Sequence, residues 1–357
     1  MIALVLAAGS GRGLEPYTTF VQKETISVVG KPVIRYVVDG LVDAGIDKFV
    51  VVVGDKEEQV KEALSGVSIP LTFVRQKRKG IEGAVLDGMS EVDDEVFTLA
   101  YGDIVAPPRF YRSLMNAYLE GGKDAVFSLV PVSEGLSTYG LAVIQEGKLK
   151  AITNTGSTLA LAGAYVIPKG NFDNLLDYFN HLIQRGSNYF VWSGSWVDVG
   201  YPEDLIRAVE SILSNRATEI SEKAYISRTA VIGRGVIVEE NAYVDEYAVI
   251  KGPAYIGRNV YVGNFSLIRD FTSLEEDSRV GAYAELAHAL VQPRADVGSK
   301  AYLSFSIIGS SSKIGAGVVA SSYPAEVTRS KVEKLGCLIS PSRQVPHGKV
   351  LEPGYRE

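Results

Sequence analysis

The chain's 357 residues, 46% apolar and 22% charged, suffice for two buried cores under an ordinary charged surface. A net charge of −6 argues against a general nucleic-acid surface, though a local basic pocket for phosphates is compatible with it. The single cysteine, Cys337, excludes an intramolecular disulfide, and the lack of a signal-peptide pattern or of an apolar run near the ~20 residues of a membrane span gives the expectation of a cytoplasmic protein without nucleic-acid or membrane partners.

In chain order, Ile2–Ala7 reads as a buried parallel strand that breaks into Gly9, Ser10, Gly11, Arg12 and Gly13. Such a stretch can turn its backbone N–H groups toward an anion. The spacing departs from the dinucleotide fingerprint, because the third glycine comes one residue early and Leu14 stands in its place. Further strands are expected at 49–53, 71–74, 96–101 and 125–131, with helices at 32–44, 57–64, 84–89 and 109–119 between them. That alternation implies a mostly parallel sheet with helices on both faces, whose ligands sit outside the carboxyl ends of the strands. Gly9 and Asp103 fall at such ends.

From Ile226 the period changes to six. Ile226, Ile232, Val238, Val244, Ile250, Ile256, Val262, Ile268, Leu274, Val280 and Leu286 form an unbroken aliphatic series. Small or β-branched residues follow four positions later, as at Ala230, Val236, Ala242 and Ala248. After one-residue slips the series resumes at Val291, Val297 and Leu303, then at Ile308 and Ile314. Hexapeptide repeats of this kind build a parallel β-helix in which each repeat supplies one short strand with its aliphatic residue inward. The pattern resembles the left-handed β-helix of hexapeptide proteins. The stretch from residue 323 onward reads as a repeat-free tail, with a short helix at 330–335 and no assigned function.

The N-terminal stretch resembles the sugar-1-phosphate nucleotidylyltransferase family, whose signature runs L-A-A-G-x-G-T-R-L-x-P-L-T, then P-K, then G-K-P-x-I-x-Y. The chain keeps Leu6, Ala7, Ala8, Gly9, Gly11, Leu14, Pro16, Thr18, Lys23, Gly30, Lys31, Pro32, Ile34 and Tyr36 at the corresponding places. The resemblance implies a Rossmann-like α/β nucleotidyltransferase domain at 1–218, a left-handed β-helix at 219–322 and a tail at 323–357. It further implies attack of a sugar-1-phosphate oxygen on the α-phosphorus of a nucleoside triphosphate. Lys23 and Arg12 would then neutralise phosphate charge. Leu6, Ala7, Ala8, Gly9, Ser10, Gly11, Gln76 and Gly83 would bind the nucleotide, and Tyr139, Gly140 and Gly163 the sugar. Asp103, in LAYGD, and Asp198, in SWVDVGYPEDL, match the family's metal aspartates, and paired carboxylates suit Mg²⁺.

Departures gather at positions that touch substrate in that family. The signature arginine aligns with Gly13 and the threonine before it with Arg12; Gln22 replaces a proline, and Ile81 a threonine of the base loop. The sugar-binding E-K-P is replaced by Thr153, Asn154 and Thr155, and the asparagine of N-A-G-x-Y by Leu161. The second half resembles the β-helix of archaeal-type bifunctional nucleotidylyltransferase/acetyltransferases, yet Ser299 stands at their catalytic histidine and Ala287 at a lysine, with His288 adjacent and read as a solvated side chain. The expectation is no acetyl transfer and a homotrimer assembled through the β-helix. The alternative is a nucleotide- or sugar-nucleotide-sensing subunit that regulates an active paralogue.

Overall fold

The computed structural model describes residues 1–122, 125–133, 136–324 and 334–357. They divide into two compact units, one of residues 1–10 and 33–196, the other of 11–32 and 197–357.

The first unit is built on a nine-stranded sheet. Its strands are β1 (Ile2–Ala7), β2 (Lys48–Val53), β3 (Leu71–Arg75), β4 (Val96–Tyr101), β5 (Val126–Pro131), β6 (Leu141–Gln145), β7 (Lys148–Thr153), β8 (Leu159–Pro168) and β9 (Asn188–Val191). The order β4-β1-β2-β3 is parallel throughout, and β8 joins it antiparallel beside β4. Every residue of β1 is buried because both faces of the sheet are covered. Ala3, Val5 and Ala7 face a core with Ile34, Val37 and Leu41 of α1 (Val33–Asp43) and with Phe110 and Leu114. Ile2, Leu4 and Leu6 face the other core, with Val85, Phe179 and Leu182. The two-residue alternation thus serves two helical layers at once.

Remaining helices of this unit are α2 (Glu57–Ala63), α3 (Gly80–Met89), α4 (Pro108–Gly121) and α5 (Leu175–Gly186). Of α1 to α4, three differ from the sequence expectation in their starts, α4 by one residue at Pro108. The first helix opens at Val33, because Lys31–Pro32 pairs with Ser27–Val28 as a hairpin. The third opens four residues early, at Gly80, so the segment with Gly80 and Gly83 is already helical.

In the second unit, α6 (Pro202–Leu213) precedes three parallel sheets of eight, seven and seven strands. Tyr225 pairs with Tyr243 and Tyr243 with Tyr261, one strand of three hexapeptides further on. The slips seen in the sequence are coils one residue shorter, as where Ser273 pairs with Leu290. All the aliphatic positions from Val238 to Ile314 lie in one continuous core. Corners recur every six residues in the left-handed backbone region, including Asn241, Tyr247, Asn259, Phe265, Asp277 and Tyr283. This is the left-handed hexapeptide β-helix that the period predicts.

The supposed tail corrects that reading. Cys337–Ile339 pairs with Ile307–Ile308, Gln344–Val345 with Lys313–Ile314, and Val350–Leu351 with Val319–Ala320. Tyr355–Arg356 then stacks on Cys337–Leu338. The β-helix therefore runs to residue 356, and Ile339, Val345 and Leu351 keep its six-residue spacing. The helix expected at 330–335 lies outside the described residues at 330–333, and Lys334–Leu335 is a strand. Cys337 sits in this core, its thiol pushed up to about 12 by burial. Among the described residues, no helix is long and apolar enough to cross a membrane.

Candidate functional site

Strand ends carry the motif residues of the first unit. Leu6 and Ala7 finish β1; Ala8, Gly9 and Ser10 follow it. The N–H of Gly102 donates to the Leu6 carbonyl at 2.8 Å, tying the end of β4, and with it Asp103, to the end of β1. Tyr111 lies buried near Asp103; desolvation first, and then that carboxylate's charge, drive its hydroxyl above the phenol range.

Gln76 leaves the end of β3 with its N–H donated to Val53 at 2.9 Å. Its side-chain amide donates to the carbonyls of Arg78 at 2.7 Å and Gly80 at 2.8 Å, so it shapes the turn into α3. A Cβ at Gly83 would stand 2.6 Å from the Arg78 backbone, so only glycine fits there. Asp87, one turn on, accepts from the N–H groups of Lys77 and Arg78 and from the Arg78 guanidinium at 3.0 Å. Desolvation alone would raise its pKa, but these donors and charges outweigh burial and hold the carboxyl below its ordinary range.

Gly163 has φ +77 at a register shift of β8 against β5 and packs against Ile104 and Tyr101. A bulge of this kind re-aims a strand beside a site. Gly140 accepts from Leu161 at 2.9 Å, and Tyr139 lies 6.1 Å, centroid to centroid, from Trp196, whose indole donates to Ala162.

The remaining predicted residues belong to the second unit, because the glycine loop is divided after Ser10. Gly11 is left-handed at φ +65, and Thr18 closes the turn by donating its hydroxyl to the Gly11 carbonyl at 2.8 Å. Arg12 is exposed at the start of a 3-10 turn. Gly13 lies against Gly200, whose carbonyl oxygen a Cβ would strike. The position of the family arginine is therefore closed to any side chain in this backbone arrangement. Lys23 opens the third 3-10 turn of this segment and donates to the Val199 carbonyl at 3.3 Å, which brings it beside Asp198. The side chains of Asp103 and Asp198 are each carboxylates, the hard oxygen donors that Mg²⁺ takes. Among the described residues, no group of three His, Cys, Asp or Glu gathers for a metal.

What sequence reading missed is how segment 11–32 is held. Tyr17 is fully buried, in hydrogen-bond contact with the backbone of Ser310, and the Arg343 guanidinium lies 5.3 Å from the Phe20 ring. Arg356 donates to the carbonyls of Gly13 and Glu15, each at 3.0 Å. Val29 and Gly30, at φ 51 and 77, form the two-residue turn of the Ser27–Pro32 hairpin. Such turns favour Asn-Gly, and a β-branched residue in the left-handed region costs of order 1–3 kcal/mol. That turn rests on Glu275, fully buried, whose pKa is raised by desolvation despite its donors. Nothing in the sequence separates Glu275 from the exposed Glu276 beside it. His288 also departs from expectation: it stacks on Phe305 at 4.2 Å and meets Glu210 at 2.9 Å rather than standing in solvent.

Residues 3–167 match the MobA-like NTP transferase domain family, and residues 235–270 the bacterial transferase hexapeptide (six repeats) family. The chain is 30% identical over 259 residues to the UTP–glucose-1-phosphate uridylyltransferase AglF of Haloferax volcanii, covering 62% of this chain and 100% of that protein. It is 30% identical over 339 residues to the bifunctional protein GlmU of Methanocaldococcus jannaschii, covering 89% of this chain and 80% of that protein. A solved UDP-glucose pyrophosphorylase complexed with UDP-glucose aligns with a TM-score of 0.53 at 22% identity, over 60% of this chain and 99% of the other, a likeness of fold.

Proposed function

Because the chain belongs to the sugar-1-phosphate nucleotidylyltransferase family, we propose that it joins a nucleoside triphosphate to a sugar-1-phosphate, releasing pyrophosphate and an NDP-sugar. A phosphate oxygen of the sugar-1-phosphate attacks the α-phosphorus, and the bond from that phosphorus to the bridging oxygen of the departing pyrophosphate breaks. Phosphoryl and nucleotidyl transfers of this kind need positioning and charge stabilisation more than covalent help.

The observation that carries the reading is the turn after β1. Gly11 is left-handed and crowded by Thr18, and Lys23 follows on its own rigid turn. Backbone N–H groups and an ammonium are what a polyphosphate requires. Arg12, exposed, adds a guanidinium. Gln76 and Gly83 shape the turn proposed to meet the base, and Tyr139, Gly140 and Gly163 stand for the sugar side. Mg²⁺, with the carboxylates of Asp103 and Asp198 as its proposed ligands, would neutralise phosphate charge when bound.

The test is pyrophosphate release over a matrix of nucleoside triphosphates and hexose- or aminohexose-1-phosphates with Mg²⁺. Release that vanishes in Asp103→Asn and in Asp198→Asn supports the reading; turnover unchanged in either variant removes that residue from the metal site. The β-helix is proposed to assemble a homotrimer, which sedimentation of the full chain checks.

A second reading is favoured by Gly13, whose contact with Gly200 closes the place of the family arginine. Under it the chain binds nucleotide or NDP-sugar without turnover and regulates an active paralogue. A silent matrix together with ligand-dependent stabilisation would support that reading.

A further inference from the structure

The β-helix contributes a carboxylate to the segment that carries Lys23. Glu275 is 0% exposed; one of its oxygens is shared between the β-helix and the hairpin, and the other is held by the hairpin alone. Oε1 accepts from the Ser273 hydroxyl at 2.6 Å and the Val29 N–H at 2.9 Å; Oε2 accepts from the Ser27 hydroxyl at 2.6 Å and the Gly30 N–H at 2.9 Å. Gln292, also buried, brackets Ser27 by accepting from its N–H at 3.2 Å and donating to its carbonyl at 2.7 Å. Tyr255 closes over Gly30.

These contacts reach Lys23 through a short rigid path. The Lys23 carbonyl accepts from Ile26, the Gln22 carbonyl accepts from Thr25, and Ile26 is buried. A hairpin fixed at Ser27 therefore fixes the base of the lysine four residues earlier. The left-handed Val29 persists because its N–H is taken by the carboxylate, and strain of this kind survives only where surroundings over-determine it.

We infer that Glu275 is a positioning residue for nucleotidyl transfer, holding the Val29–Gly30 turn so that the Lys23 ammonium stands where the phosphates arrive. The inference rests on the function proposed above and names a part of the β-helix as a working component of the site. Glutamine cannot stand in for Glu275. Whichever way its amide is placed, an NH₂ faces the N–H of Val29 or of Gly30.

The experiment is a double-mutant cycle in the full chain with Glu275→Gln and Lys23→Ala, read as kcat and KM, with hydrogen exchange over residues 27–31. Glu275→Gln is expected to lower kcat about tenfold to a hundredfold. KM for the sugar-1-phosphate should hold within about twofold, exchange at 27–31 should rise, and no further loss should follow in the Lys23→Ala background. The exposed neighbour variant Glu276→Gln should match wild type. Val29→Gly, which relieves the turn, should restore part of the turnover lost in Glu275→Gln.

An equal loss in both backgrounds, or unchanged turnover with raised exchange, overturns the inference. Should Glu275→Gln fail to fold, Ser27→Ala removes one donor from the hairpin side and enters the same cycle. A wild type that releases no pyrophosphate counts against the catalytic reading instead. The cycle is then read on the Kd for the nucleoside triphosphate, where an affinity untouched by Glu275→Gln overturns the positioning role.

Discussion

The β-helix and the Gly11–Pro32 segment it carries are opposites in construction. Each β-helix coil repeats the last, so Ile268 touches its neighbours for the same reason that Ile250 and Leu286 do. The loop segment repeats nothing and is held at points hundreds of residues away in sequence, by Glu275, Gln292 and Arg356. A periodic region distributes its stability along its length, whereas an irregular one concentrates its dependence on a few buried polar groups.

The contrast can be broken first at an inward aliphatic residue. Ile268→Ala should cost about 4 kcal/mol of unfolding free energy by denaturant titration, through lost burial and a residual cavity, while leaving exchange at 27–31 unchanged under native conditions. Coupling of that cavity to the hairpin would show that the β-helix is not so modular. Next comes Gly13→Ala, for which overpacking against Gly200 predicts a loss of about 2–3 kcal/mol and a larger fall in nucleotide affinity than Ile268→Ala produces. A gain in activity from Gly13→Arg would mean that the loop can rearrange to readmit the family's arginine. Removing two charge-assisted hydrogen bonds in Arg356→Met should cost about 2 kcal/mol, with the exchange change confined to residues 11–18.

The smallest effect concerns acid and lies in the first unit. Asp87 has its folded pKa below the unfolded value, so its contribution is present above the ordinary carboxylate pKa of about 4 and is lost as pH falls through the depressed one. Exchange over residues 76–83 should therefore accelerate only below about pH 4. In Asp87→Asn that acid-dependent step should vanish.

The same contrast decides what could be read from sequence. The six-residue period announced the β-helix because every repeat restates the rule. The final coil escaped notice because residues 325–333 interrupt the series, although Ile339, Val345 and Leu351 resume it. β1 and its glycine loop were legible from a buried run ending in glycines, and Asp103 from its place after a strand. The hairpin at Ser27–Pro32 was not, since Val-Gly is a poor turn sequence that stands only with a carboxylate beneath it. Nor was the loss of arginine at Gly13 interpretable until Gly200 was seen against it. Local pattern speaks for local structure; a residue whose partner lies 246 positions away leaves no mark in its own neighbourhood.

The hold of Arg356 on Gly13 spans 343 positions. During synthesis, β1 and the glycine loop emerge early, and the N-terminal portion can begin to fold while the rest is being made. The guanidinium that braces the loop does not yet exist at that stage. Completion of the glycine-loop turn is thus tied to translation passing residue 356, and a chain stalled or clipped within the final coil would carry the whole signature without its brace.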